Sequence, residues 1–157
     1  MFSRAKKFLL KLFIYETSPH KLAVACAIAV YIAFSPFFGL HTLMLIGSGM
    51  FFKLNIPLLL IIGYVINNPF SMIPIYMSGY AVGYWILHEC LEFHVCAYNP
   101  WWMESVNNFL HAKIGISHIS FWAFMIGGNC VGIILGCVAY PLMHHIFKRL
   151  SIQQAIR

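Results

Sequence analysis

Residues 33–42 read Ala33-Phe34-Ser35-Pro36-Phe37-Phe38-Gly39-Leu40-His41-Thr42, and they lie in the middle of an uncharged run spanning 22–52. As one continuous helix that run would be about 46 Å long at ~1.5 Å per residue. A bilayer's hydrocarbon core is roughly 30 Å thick and takes about 20 residues per crossing. The run is too long for one upright crossing and too short for two. Pro36 removes a backbone donor and disfavours helix at Ser35, and Gly39 frees the backbone three residues on. The stretch therefore predicts two short helical arms, 22–34 and 38–52, joined by a bend at membrane depth. Backbone that leaves the helix at that depth must be buried in protein or line a wet cavity.

Composition supports the membrane setting. Of 157 residues, 61% are apolar and only 9% charged, with a mean hydropathy of +0.80. Charged residues make up about a quarter of an ordinary soluble domain, so this chain could not cover a water-facing surface. The expected class is all-α: a polytopic integral membrane protein with broken or re-entrant helices and an N-terminal amphipathic interfacial helix, all within a single membrane domain. The net charge of +6 is unevenly spread, with Lys53 and Lys113 the only basic residues between Lys21 and Lys148. Basic residues that flank apolar blocks fit anionic cytoplasmic lipid, and no nucleic-acid recognition motif accompanies them.

Outward from the central stretch, 1–17 has Phe2, Ala5, Phe8, Leu9, Leu12 and Phe13 on one helical face, the pattern of a helix lying in the membrane interface. This start is not read as a cleaved signal, because the apolar run continues far past it. After the turn Lys53-Leu54-Asn55-Ile56-Pro57, a second apolar block covers 56–87 and is broken at Asn67-Asn68-Pro69-Phe70-Ser71, with Pro74 just beyond. Tyr31, Pro36 and Phe37 align with Tyr64, Pro69 and Phe70, a thin echo of an internal repeat. Two broken segments in corresponding places are a pointer to a binding site. The extramembrane loop is 88–118, with a short helix expected near 102–112 and Trp101 and Trp102 as interfacial anchors. The last block, 119–147, reads as one long tilted transmembrane helix. Its Gly128, Gly132 and Gly136 form two overlapping G-x-x-x-G motifs, a smooth stripe for close packing against an inner segment or a second copy of the chain.

Taken in order, Ser18-Pro19-His20 ahead of an Ala-rich helix, Pro36-Phe37-Phe38-Gly39-Leu40-His41-Thr42, Leu54-Asn55-Ile56-Pro57, Asn68-Pro69 with Pro74, and Gly83 closing the run form an ordered set. It resembles a bacterial family of small membrane proteins known only as a domain of unknown function, number twenty sixty-two. The match is good over 18–83 and looser over the last helix. The resemblance implies the membrane architecture and leaves the activity open. Lys53, displaced by Leu54, matches the family's basic residue before the turn Asn. Members occur alone or joined to glycosyltransferase-like domains, and no such domain is visible here. The Cys/His-containing loop lies outside the family pattern.

The chemistry centres on the two breaks. His41 is the only imidazole in the first block, and an ionisable group at depth faces a cavity or a partner. It reads either as a proton or anion contact beside a broken helix's free amides, or as a neutral ring satisfying a carbonyl freed at the bend. With Ser35, Pro36, Gly39 and Thr42 from the first break and Asn67, Asn68 and Pro69 from the second, it makes the expected intramembrane polar site. His88, Cys90, His94 and Cys96 have the donor types of a zinc or copper site at a spacing that fits no familiar one. No metal or cofactor is therefore expected. Asp is absent and no Glu lies in an apolar block, so the usual acid–base pair of a hydrolase or transferase is missing. An intramembrane enzyme is thereby disfavoured as a third class, and two functions stand ahead of it. One is a carrier or flippase for an anionic lipid or small solute. The other is a non-transporting accessory subunit of an envelope glycan or lipid biosynthesis enzyme. Expected partners are membrane lipids, with a second copy or a membrane enzyme at the glycine face. The positive-inside rule predicts an inner-membrane protein with both termini cytoplasmic.

Overall fold

The computed structural model describes residues 18–37, 39–90, 99–114 and 119–155, and among these the chain is all-helical. The helices are α1 (Pro19–Phe34), α2 (His41–Phe51), α3 (Ile56–Ile66), α4 (Pro69–Trp85), α5 (Trp101–Ile114) and α6 (Phe121–Ala155), with a π-turn at Ile86–Cys90 extending α4. The expected interfacial helix over 1–17 lies outside the described residues.

Prolines mark the helix starts. Pro19 opens α1, Pro57 lies in the first turn of α3, and Pro69 opens α4. In a first turn the missing N–H costs nothing, because no intrahelical partner exists there. The Asn55 side chain caps α3 by accepting from the Leu58 amide at 3.1 Å. Pro74 and Pro141 lie inside α4 and α6 without ending either helix. The last helix runs eight residues past the expected boundary at Phe147, to Ala155. His88, expected in the loop, continues α4 through the π-turn.

α1 is the centre of the bundle. Leu22, Ala23, Ala25, Cys26, Ala29, Ile32 and Ala33 are all buried. They leave it apolar around its whole circumference, the pattern of a helix enclosed on several sides. α6 packs along α1 and α4, and α3 packs on α1 and α2. Glycines let these backbones approach. A Cβ at Gly128 would lie 2.9 Å from the Phe34 carbonyl oxygen, at Gly132 3.0 Å from that of Tyr31, and at Gly136 3.1 Å from that of Ala27. The three glycines of the G-x-x-x-G stripe thus face α1, running antiparallel to it. A second glycine contact joins α6 to α4, where Gly127 meets the backbone of Gly79 and Gly83.

α2 and α3 form an antiparallel hairpin whose turn holds Lys53 at a left-handed φ of 52°. Gly49 admits Ile56 and Leu59, and Gly63 admits Leu45. Beyond this hairpin the chain bends by 78° into α4. Among the described residues, by length and composition one helix, α6 over Phe121–Ser151, can cross a membrane, or two if the bent pair α3–α4 counts as one span. α5 is tied to the start of α6 through Asn107, which accepts from the Ile119 amide and donates to its carbonyl.

Candidate functional site at the two helix breaks

The first break begins where α1 ends at Phe34. Ser35 is extended (φ −68°, ψ 142°) and fully buried, so its carbonyl points away from the α1 hydrogen-bond ladder. His41 takes it up: Nε2 lies 3.0 Å from the Ser35 carbonyl oxygen, and since a carbonyl only accepts, the ring donates from Nε2. Pro36 is buried at the Gly128 face of α6. Gly39 carries the chain round with φ +78° and open space where a side chain would go. The requirement for glycine there comes from the backbone and not from crowding.

The second break is a capping box. Asn68 Oδ1 accepts from the Phe70 and Ser71 amides at 3.0 Å each, while the Asn68 amide donates to Ser71 Oγ at 3.1 Å. Its Nδ2 also donates to the Val65 carbonyl, and Ser71 Oγ donates to that of Ile66. The two sides of the break are thereby tied together by one Asn and one Ser. Pro69 takes the first helical position of α4, whereas Pro36 sits in non-helical backbone; the sequence echo places two prolines alike but the chain uses them differently.

The α2–α3 hairpin brings the breaks to the same end. Thr42, in the first turn of α2, shares a 2.8 Å hydrogen bond with Tyr64 near the end of α3. Break one lies just before Thr42 and break two just after Tyr64. Both then reach α6. Phe34 and Pro36 pack at Gly128, and Tyr76, beyond the second break, packs its ring 5.6 Å from Phe124. The Asn67 side chain lies beside the Tyr76 hydroxyl, and its Oδ1 is buried with no hydrogen-bond partner of normal geometry.

Three polar groups near the breaks were not among the expected site residues. Asn129 of α6 accepts the Tyr31 hydroxyl proton at 2.8 Å and donates to the Met125 carbonyl at 2.8 Å. Tyr64 and Tyr76 complete the set. Two grooves flank α1. One, about 580 Å³, lies between α1 and α6 and is lined by residues including Ala27, Tyr31, Gly136 and Tyr140. The other, about 540 Å³, lies between α1 and α2 with Met44, Ser48 and Phe52 in its wall. Of the metal-type run, His88 stacks on Tyr84 at 5.3 Å and lies 3.6 Å from Glu89. His94 and Cys96 lie outside the described residues, and among the described residues no three His, Cys, Asp or Glu converge.

Among the described residues, fold and site together define an all-helical arrangement with one helix long and apolar enough to cross a membrane and two interrupted helices packed against it. The chain belongs to the family described as an uncharacterized protein conserved in bacteria (DUF2062), whose model matches residues 3–155. No curated protein and no solved structure matches it.

Proposed function

We propose that this chain is a multi-pass protein of the bacterial inner membrane that carries an anionic lipid or small solute past a site formed at its two helix breaks. The observation that carries the reading is the pairing of the breaks by the α2–α3 hairpin through Thr42 and Tyr64. Broken helices expose amides and carbonyls that need each other, water or a ligand, and two breaks at one end concentrate them. The side-chain Oδ1 of Asn67, buried at the second break, adds a further acceptor with the same need. Lys21 opens α1, Lys53 caps the hairpin returning along α1, and Lys148 and Arg149 close the antiparallel α6. With that end in the cytoplasm, the order agrees with the positive-inside rule.

Purified protein in liposomes tests this by flux of a fluorescent anionic phospholipid analogue and of small anions. Flux that falls at least tenfold in Asn67→Leu, with the protein still folded and inserted, supports the site. Absence of flux for all probes removes the carrier reading. It would leave the accessory-subunit reading, which draws on a separate observation: His41, Thr42, Asn68 and Ser71 make their hydrogen bonds within the chain.

A further inference from the structure

At the opposite end of α1 from the breaks, three rings meet, and of these only His20 belongs to a sequence motif. His20 Nδ1 lies 2.8 Å from the Tyr140 hydroxyl. The His144 ring stacks on Tyr140 at 5.9 Å and lies 6.5 Å from His20. With the phenol donating to Nδ1, the neutral His20 ring carries its proton on Nε2, free to donate outward. This cluster closes the foot of the groove between α1 and α6, since Tyr140 belongs to both.

The two helices change character together along the groove. On α6, Ile133, Cys137, Tyr140, His144 and Lys148 recur at helical spacing and form one stripe, apolar above and basic below. On α1, Tyr31, Ile28 and Val24 line the groove, and His20 follows one turn below Val24. From Ile133 to His144 is about 16 Å of helix at ~1.5 Å per residue, close to the thickness of one leaflet, about half of a ~30 Å core. The cleft lies between helices already in backbone contact at Gly132 and Gly136. It is an open slot of about 580 Å³ along the two helices. Lys21, His145, Lys148 and Arg149 lie within about a turn of its foot along the same two helices, and among the described residues both Glu side chains, Glu89 and Glu104, lie in other elements, at the end of α4 and on α5. Glu16, four residues before His20, lies outside the described residues.

We propose that this groove holds one acyl chain of an anionic glycerophospholipid from the cytoplasmic leaflet, with its phosphate at His20, His144 and Lys148. The inference rests on the bilayer insertion assumed above but not on transport, and the groove is separate from the breaks.

Native mass spectrometry of the detergent-purified protein, titrated with dioleoyl phosphatidylglycerol and dioleoyl phosphatidylethanolamine, tests it. Each cation near a membrane surface favours anionic lipid, so the preference for phosphatidylglycerol should be about tenfold and fall several-fold in His20→Gln/His144→Gln/Lys148→Gln, with Lys21 and Arg149 keeping a remainder. Ile133→Trp, which fills the slot, should weaken both lipids, whereas Ile134→Trp, at an exposed position outside the groove, should change neither. Equal binding of the two lipids by the wild type, or equal effects of the two tryptophans, overturns the proposal. The triple variant is scored only if its melting temperature matches the wild type; otherwise the tryptophan pair decides. Lipid preference without flux supports this site while removing the carrier reading, and flux without lipid preference does the reverse.

Discussion

His41 spends its ring on backbone. Ser35 is extended and buried, so its carbonyl has lost the helical ladder and has no water to turn to; the His41 Nε2–H supplies the missing donor. Removing one partner of a buried hydrogen bond costs the desolvation of the group left behind, about 1–3 kcal/mol. His41→Ala is therefore expected to lower the melting temperature in detergent by several degrees, with His41→Gln recovering part of the loss. Unchanged melting for His41→Ala would mean that the Ser35 carbonyl finds another donor. Tyr31 and Asn129 make a second such pair, and Tyr31→Phe should cost about 0.5–1.5 kcal/mol, the net worth of one bond. If Asn129→Leu and Tyr31→Phe together cost no more than the larger of the two, the bond accounts for both effects. His41, Asn67 and Asn68 were legible in the sequence because each is a polar side chain within five residues of a proline inside an apolar block. Asn129 was not. Its partner is 98 positions away, and a lone Asn in a glycine-rich helix carries no local signature.

Helix α6 has two glycine faces, and only one follows a repeat. Gly128, Gly132 and Gly136 recur every fourth residue, so their stripe was readable, and α1 is the segment packed on it. Gly127 faces α4 instead, against Gly79 and Gly83. Those two are also four apart, but they fall in a segment whose prolines dominate its reading. The four-residue spacing predicts a smooth face and leaves the neighbour unspecified, which is why a second copy of the chain remained an equal expectation until α1 was placed. Packing by small residues depends on backbone approach, so Gly132→Leu should destabilise far more than Leu135→Ala, whose side chain is 37% exposed. Gly127→Ala should be at least as harmful as Gly132→Ala, because an added methyl there meets backbone that cannot rotate away. Gly47 provides the control: nothing lies within 4 Å of its missing Cβ, and Ala in a helix interior is favoured over Gly by about 0.5–1 kcal/mol. Gly47→Ala should therefore be neutral or stabilising. Thermal unfolding of the five variants in one detergent checks the order, and a destabilised Gly47→Ala would point to a partner on that face.

Across the molecule, the bend at Ser35–Gly39 turns the chain back, so that α2 runs antiparallel to α1 and the Lys53 turn returns toward the end where α1 begins. The break at Asn67–Asn68 instead redirects α3 by 78° into α4, and α4 lies antiparallel to α6 through the Gly79 and Gly83 contacts. The length of each apolar block announced that it must break. It could not say which break reverses the chain and which only turns it, because that depends on what the second arm packs against. The resulting order makes a definite topological prediction. α1 and α6 are antiparallel, with Lys21 and Lys148 at one end; α5, which Asn107 ties to Ile119 at the start of α6, belongs to the other. Placed in a bilayer by the positive-inside rule, the first end is cytoplasmic. In a variant with all five cysteines replaced by Ser or Ala, Lys53→Cys should react with an impermeant maleimide only after the inner face is opened, and Trp101→Cys, 86% exposed on α5, should react from outside in intact spheroplasts. Labelling of both from the same side would place α5 with the hairpin turn. It would require α6 to lie along the membrane or re-enter it, although over Phe121–Ser151 it is the helix long and apolar enough to cross alone.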